Sequence, residues 1–112
     1  MLEGFQLLLI LVAGHLICDY PLQGDAIAIG KNRNIDPARF GVNWYYWMAS
    51  HAATHAMAVG LITHSFAAGL FEFWMHFIID FGKCEKRYGL HVDQALHVIC
   101  KIVIVLILKG VI

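Results

Sequence analysis

Residues 72–83 read Glu-Phe-Trp-Met-His-Phe-Ile-Ile-Asp-Phe-Gly-Lys, an apolar run that carries a few polar side chains. His76 and Asp80 are four residues apart in this run. On a helix, this spacing places both side chains on one face. An imidazole and a carboxylate are both common ligands of metal ions. The run therefore predicts an apolar helix that presents one pair of metal ligands.

The same spacing recurs three more times in the chain. Each copy lies inside or at the edge of another apolar segment, and the copies are His15/Asp19, His51/His55 and Asp93/His97. Four hydrophobic helices would therefore each present one ligand pair.

The composition is far from that of an average soluble protein. The 112 residues are 60% hydrophobic and only 14% charged, which indicates an integral membrane protein with a single domain, residues 1–112. The formal net charge is zero, so nothing favours nucleic-acid binding. The three cysteines form no C-x-x-C motif, which favours reduced, buried thiols over a disulfide framework or a zinc ribbon.

The apolar segments predict an all-α fold, a bundle of four antiparallel transmembrane helices. The first segment covers residues 2–20 and ends before Pro21, the second covers 44–64, the third ends at Lys83, and the fourth covers 93–112. Residues 22–43 are mixed and predict an interfacial connection between helices 1 and 2. The short link after His64 and the small residues of the second segment predict a tight hairpin of helices 2 and 3.

Basic residues indicate the orientation in the membrane. Six of the eight lysines and arginines lie in or beside two connections on one side of the bundle, namely Lys31, Arg33, Arg39, Lys83, Lys86 and Arg87. Because positive charge favours the cytoplasmic side, we expect a protein of the inner (cytoplasmic) membrane with both termini non-cytoplasmic. The metal site would lie near the cytoplasmic face.

All four ligand pairs lie at similar distances from this predicted cytoplasmic boundary. The shallower members are Asp19, His51, Asp80 and Asp93, and the deeper members are His15, His55, His76 and His97. One helical turn, roughly 6 Å, would separate the two layers. Glu72 and Lys101 fall one turn deeper still. A buried charge needs a partner, so we expect a Glu72–Lys101 pair or a hydrogen bond from Glu72 to a ligating histidine.

The eight side chains of the four ligand pairs form the predicted metal site. Polar contacts that hold helices together would explain any one pair, but four pairs at matched depth favour a binuclear site. A mononuclear site in which half of the residues play a supporting role is the alternative. Zinc is the expected metal, with iron or manganese as alternatives, at one or two ions per chain. His64 and His91 lie apart from the pairs and are expected to be structural or solvated.

Four motifs in order resemble the DUF3307 family of small bacterial and phage membrane proteins of unknown function. They are His15-Leu-Ile-Cys-Asp19-Tyr-Pro-Leu-Gln23 with a following Lys31, His51-x-x-x-His55, His76-Phe-Ile-Ile-Asp80-Phe-Gly-Lys83, and Asp93-Gln94-x-x-His97. The resemblance implies a polytopic helical protein. It also implies that the site includes Gln23, Lys31, Lys83 and Gln94.

The chemistry of the predicted site favours a membrane-embedded, metal-dependent hydrolase that acts on a phosphoester or lipid-like substrate at the cytoplasmic interface. The expected catalytic carboxylates are Asp80, Asp19, Asp93 and Glu72, and Lys101 is expected to support Glu72. Lys31, Arg33 and Lys83 would attract an anionic group near the mouth of the site.

Three alternatives use the same ligands: a di-iron membrane oxidase or hydroxylase, a metal transporter, and a non-catalytic, metal-stabilised membrane factor. The lipid bilayer is the expected partner, a homo-oligomer is a further option, and no nucleic acid is expected.

Overall fold

The computed structural model describes residues 2–35 and 41–112, and these residues form five α-helices and no strand. The helices are α1 (Gly4–Asp19), α2 (Gly24–Gly30), α3 (Trp44–Thr63), α4 (Phe66–Cys84) and α5 (Leu90–Leu108). The all-α prediction is confirmed, and the four long helices follow the four predicted segments. Two details differ: the predicted interfacial connection contains α2, and α5 begins early enough that His91 lies in its first turn rather than in a loop.

Helix α1 has a defined start and a sharp end. Gln6 Oε1 accepts a hydrogen bond of 3.0 Å from the backbone N–H of Glu3, one half of a capping box. The helix ends two residues before Pro21, and the chain then bends by 87° into α2. Gln23 Nε2 donates to the carbonyl oxygen of Asp19 at 2.9 Å, so a side chain satisfies a helix-terminal carbonyl. This bend turns α2 back towards the bundle.

Helix α2 packs against the beginning of α3 through a glycine. A Cβ atom at Gly30 would lie 2.6 Å from Cδ1 of Trp47, so the indole leaves room only for glycine at this position. Lys31 follows directly, and it is only 5% exposed. The contact between Gly30 and Trp47 therefore brings a lysine into the interior of the bundle.

The hairpin predicted for the second and third long helices, which are α3 and α4, is present. His64 adopts a left-handed conformation (φ 54°) that ends α3, and Ser65 Oγ accepts a hydrogen bond of 3.1 Å from the N–H of Ala68 at the start of α4. A Cβ atom at Gly69 would lie 3.0 Å from the carbonyl oxygen of Ala56. The two backbones thus approach so closely that a larger side chain at Gly69 would press against the backbone of α3.

The interior has an apolar end and a polar end. One buried apolar cluster joins α1, α3, α4 and α5 and consists of Leu7, Leu11, Val59, Ala68, Ile104 and Val105. Among the described residues, 11 buried side chains are apolar and 11 are polar or charged, while many large apolar side chains are exposed. So large a share of buried polar and charged residues is unusual, because such groups are rarely buried unless they are paired.

One described helix, α5, is by itself long and apolar enough to cross a membrane. Helices α1 and α2 meet the same criterion only when they are taken together, across their bend. Helix α4 carries three charged residues, Glu72, Asp80 and Lys83. Core helices of soluble proteins can be equally apolar, so the four-span arrangement stays a prediction.

The close approach of α3 and α4 gives a prediction about stability. We expect Gly69→Ala to lower the free energy of unfolding by about 1–3 kcal/mol, because the new methyl group meets the backbone of α3. Gly60→Ala is the matched control on the facing helix, since its Cβ would lie 3.8 Å from the nearest atom. It should be neutral or stabilising by about 0.5–1 kcal/mol. Denaturant unfolding in detergent measures both, and equal effects would contradict the packing described here.

Candidate metal centre

The four predicted ligand pairs meet at the polar end of the bundle. Asp19 is 8% exposed, and the other seven residues are at most 3% exposed. These seven are His15, His51, His55, His76, Asp80, Asp93 and His97. Helices α1, α3, α4 and α5 contribute two residues each. The spacing of four residues turns both members of each pair towards the common interior.

The Asp19 carboxylate lies at the centre of this cluster. Its Oδ1 atom is 3.1 Å from His51 Nε2 and 3.0 Å from His55 Nε2. The Nε2 atom of His76 is 3.9 Å from the same oxygen, and that of His15 is 3.2 Å from Oδ2. Four imidazole nitrogens thus surround one carboxylate. Three of them, those of His51, His55 and His76, form with Asp19 a group whose ligand atoms lie close enough together to hold one ion.

Gln94 connects two carboxylates and a histidine. Its Nε2 atom donates to Asp19 Oδ2 at 2.9 Å and to Asp93 Oδ2 at 3.1 Å. Its Oε1 atom is 2.9 Å from His15 Nε2, which identifies that ring nitrogen as the donor. The amide therefore fixes the orientation of three side chains that the sequence predicts to be ligands.

Three overlapping groups of side chains have ligand atoms within 4.8 Å of one another. The central group consists of Asp19, His51, His55 and His76. The inner group consists of His15, Glu72, His76 and His97. The outer group consists of Asp19, Asp93 and His97. Any two groups share one residue, so the ligands form one connected site rather than separate ones.

The two predicted layers are not separate at the level of the ligand atoms. Asp19 belongs to the shallower layer, yet its carboxylate contacts His55 and His15 of the deeper layer. The reason is that side chains on a helix tilt towards its N-terminus, and the imidazole rings bridge the remaining distance.

Several ring nitrogens in the cluster lack hydrogen bonds. Within the described part of the chain, both ring nitrogens of His76 and of His97 are buried and have no hydrogen-bond partner. The His76 ring stacks on His55 with 3.7 Å between centroids and on His97 with 4.2 Å. Each unsatisfied buried polar group costs about 1–3 kcal/mol. A bound metal ion would satisfy such nitrogens, so the donor set fits a metal.

Asp80 has a lysine as its partner, and its role as a metal ligand stays a prediction. It belongs to none of the three groups, and its Oδ2 atom is 2.5 Å from Lys31 Nζ. The same oxygen is 3.5 Å from His51 Nε2 and 3.8 Å from His76 Nε2. The pairing has a physical cause: α2 ends directly before Lys31, whose ammonium group enters the bundle and contacts the carboxylate oxygen that faces the histidines.

Lys31 and Lys83 were both expected at the mouth of the site, but they lie in different surroundings. Lys31 is buried and also donates to Gln23 Oε1 at 2.5 Å. Lys83 is half-buried at the end of α4 and forms no hydrogen bond or ion pair with the cluster in residues 2–35 and 41–112. Gln23 and Lys31 thus belong to the wall of the site.

The expected Glu72–Lys101 pair is present. Lys101 Nζ donates to Glu72 Oε1 at 2.7 Å, and both residues are 1% exposed. The same carboxylate oxygen is 3.4 Å from His76 Nδ1. Glu72 therefore connects Lys101 to the histidine that the central and inner groups share.

The buried charges do not cancel. Among the described residues the buried carboxylates are Asp19, Glu72, Asp80 and Asp93, and the buried ammonium groups are Lys31 and Lys101. Four negative against two positive charges leave a formal charge of −2 when the imidazoles are neutral. Uncompensated charge in a dry interior is strongly unfavourable. One divalent cation would neutralise it.

A surface contact holds the segment after α2 against the end of α4. Arg33 forms an ion pair with Glu85 and lies over the ring of Phe81, 5.1 Å from its centroid. Asn34 Nδ2 donates to Glu85 Oε2 at 2.8 Å. This hydrogen bond lowers the pKa of Glu85, and the Arg33 guanidinium acts in the same direction. The contact, which the sequence alone did not indicate, helps to keep Lys31 over the cluster.

Fold and site together define an all-α protein whose helices enclose a cluster of histidines and carboxylates. The sequence profile of a family described as proteins of unknown function, DUF3307, matches residues 7–111. The match covers nearly the whole chain and all four ligand pairs, so the chain belongs to the DUF3307 family. No curated protein and no solved structure matches the chain.

The Lys31–Asp80 pair gives a second prediction. Lys31→Met should lower the free energy of unfolding by about 3–5 kcal/mol, because it leaves a buried carboxylate without a partner. Adding Asp80→Asn should restore most of this loss, since the buried charge is then removed as well. Thermal unfolding in detergent compares the two variants. A double variant as unstable as Lys31→Met would mean that the lysine acts through packing alone.

Proposed function

We propose that this chain is a membrane-embedded, metal-dependent hydrolase. The observation that carries the proposal is the convergence of four imidazole nitrogens on the Asp19 carboxylate, deep in a helical bundle. Nitrogen-rich sites with one carboxylate are typical of zinc hydrolases. The ligand set thus supports hydrolysis, and a di-iron oxidase is the alternative that would use similar histidine-rich helices.

The central group would hold the ion, since it combines three histidines with one carboxylate. Zinc is the metal that this set favours, with iron or manganese as alternatives. A bound divalent ion would activate a water molecule near neutral pH and polarise a substrate oxygen. The formal charge of −2 in the interior supports one divalent ion per chain rather than two.

The chain's own residues would then orient the reactants. Asp80 is the buried carboxylate that lies beside the histidines without belonging to a metal group. Its carboxylate would accept a proton from a water molecule at the central group. Lys31, which already donates to Oδ2 of Asp80, would hold the carboxylate in place and donate to an anionic substrate oxygen. A phosphoester or another lipid-like substrate would suit this arrangement.

The arrangement of polar and apolar residues supports a membrane location. Polar side chains are enclosed and large apolar side chains are exposed along all four long helices, as expected for a bundle in contact with lipid. Inner-membrane insertion as four spans, with the site near the cytoplasmic face, is part of the proposal. A transporter would need polar groups along its whole length, but the buried apolar cluster lies between the site and the opposite end.

A non-catalytic, metal-stabilised membrane factor is the second candidate. It is favoured by the almost complete burial of the ligands, which leaves little room for a substrate to contact them. Metal binding in such a protein would contribute to folding alone.

Two variants distinguish these candidates. His76→Ala should lose the metal and lower the unfolding temperature, because His76 belongs to two of the three groups. Asp80→Asn should keep metal and reduce hydrolysis by about 10²-fold or more, since it removes a proton acceptor. The exposed His91 provides the control variant His91→Ala, which should change neither the metal content, nor the unfolding temperature, nor the rate of hydrolysis.

Metal content by elemental mass spectrometry, thermal unfolding, and turnover of a phospholipid and phosphoester panel are the measurements. A native protein that binds zinc but hydrolyses nothing on the panel would favour the non-catalytic candidate. A native protein without metal would refute both.

Orientation is tested by cysteine labelling in intact cells. Of the basic residues that indicated the orientation, Arg39 lies outside the described residues, Lys31 is paired inside the bundle, and Lys86 is exposed between α4 and α5. In a background without the three native cysteines, a cysteine tag at either terminus should react with a membrane-impermeant maleimide. Lys86→Cys should react only after permeabilisation, and the opposite pattern would reverse the proposed orientation.

A further inference from the structure

We infer that Lys101 is an internal cation that keeps a second metal ion out of the inner group and so sets the stoichiometry at one ion per chain. The inference rests on the proposed metal binding and deepens it. It concerns the inner group, to which Glu72 belongs, because the proposed reaction takes place at the central group.

The inner group is itself a complete set of metal ligands. Its four members, His15, Glu72, His76 and His97, are 0–3% exposed and present ligand atoms within 4.8 Å of one another. When His76 binds an ion in the central group, three members remain, which is the number of protein ligands in many metal sites that keep an open position.

Each of three residues of the inner group has at least one unpartnered atom. In the described part of the chain, Glu72 Oε2, His15 Nδ1 and both ring nitrogens of His97 are buried without a hydrogen-bond partner. Helix packing alone gives no reason to bury such atoms. By ligand type and burial, this set is therefore as suited to a cation as the central group.

Lys101 is what distinguishes the inner group from the central group. Its Nζ atom is 2.7 Å from Glu72 Oε1, and the residue is 1% exposed. A divalent ion bound to Glu72 would lie beside this ammonium group, and like charges repel strongly where water is excluded. Lys31, the other buried lysine, pairs instead with Asp80, which lies outside all three groups. The ammonium of Lys101 thus already occupies the one carboxylate of the inner group.

The charge balance leads to the same conclusion. With both lysines present, the buried groups carry a formal charge of −2, which one divalent ion cancels. Removal of the Lys101 charge leaves −3 and releases Glu72, so the inner group gains both a ligand and a reason to bind a cation.

Metal stoichiometry tests the inference. Full-length protein in detergent is saturated with zinc, desalted and analysed by elemental mass spectrometry, together with thermal unfolding. We expect one zinc ion per chain in the native protein and two in Lys101→Met. Adding Glu72→Gln to Lys101→Met should return the ratio to one, because the inner group then lacks its carboxylate. Lys86→Met, which removes an exposed charge, should stay at one.

Each outcome has a distinct meaning. One ion in both the native protein and Lys101→Met would overturn the role of Lys101 but leave the proposed metal site intact. Two ions in the native protein would also overturn that role. A native protein without zinc would overturn the proposed function itself. If Lys101→Met does not fold, Lys101→Gln removes the same charge and keeps a hydrogen bond to Glu72, with the same expected ratio of two.

Discussion

Buried carboxylates need compensating charge, and most of this structure follows from that requirement. An ionised group in a dry interior is tolerated only with a partner. Lys101 partners Glu72 from the facing helix, and Lys31 partners Asp80 from a short helix outside the four-helix core. Asp19 is surrounded by histidine nitrogens and Gln94. The remaining charge is what makes a divalent cation the natural complement of the bundle.

Packing determines how precisely these partners are placed. Close contact of α3 and α4 at Gly69 sets the distance between His55 and His76, whose rings stack at 3.7 Å. The contact of Gly30 with Trp47 sets the position of Lys31 in the same way. Small residues thus act at a distance from the site, because they determine how near two helices can come. A metal bound at the cluster would add its binding energy to the stability of this packing.

The surroundings of the cluster limit what it can do. A buried apolar cluster lies beyond the Glu72–Lys101 pair, and Lys31 with Gln23 covers the opposite side. A site that is closed in this way is better suited to a reaction that needs controlled access of water than to continuous transport of ions. The side that α2 covers is also the side where Arg33 and Asn34 bind Glu85, so access would depend on a small number of polar contacts.

The apolar segments predicted the four long helices. The recurring spacing of four residues predicted that the four His/Asp pairs face a common interior, because helical geometry relates sequence distance to direction and height. The same arithmetic predicted the Glu72–Lys101 pair. Helical spacing could not predict that Lys31 pairs with Asp80, that residues of both layers contact Asp19, or that Gln94 connects Asp19 to Asp93. These contacts join residues far apart in the chain, and their geometry depends on the bend after Pro21 and on how closely the helices pack. Local periodicity determines which face of a helix is polar, but only the packed structure determines which polar groups meet.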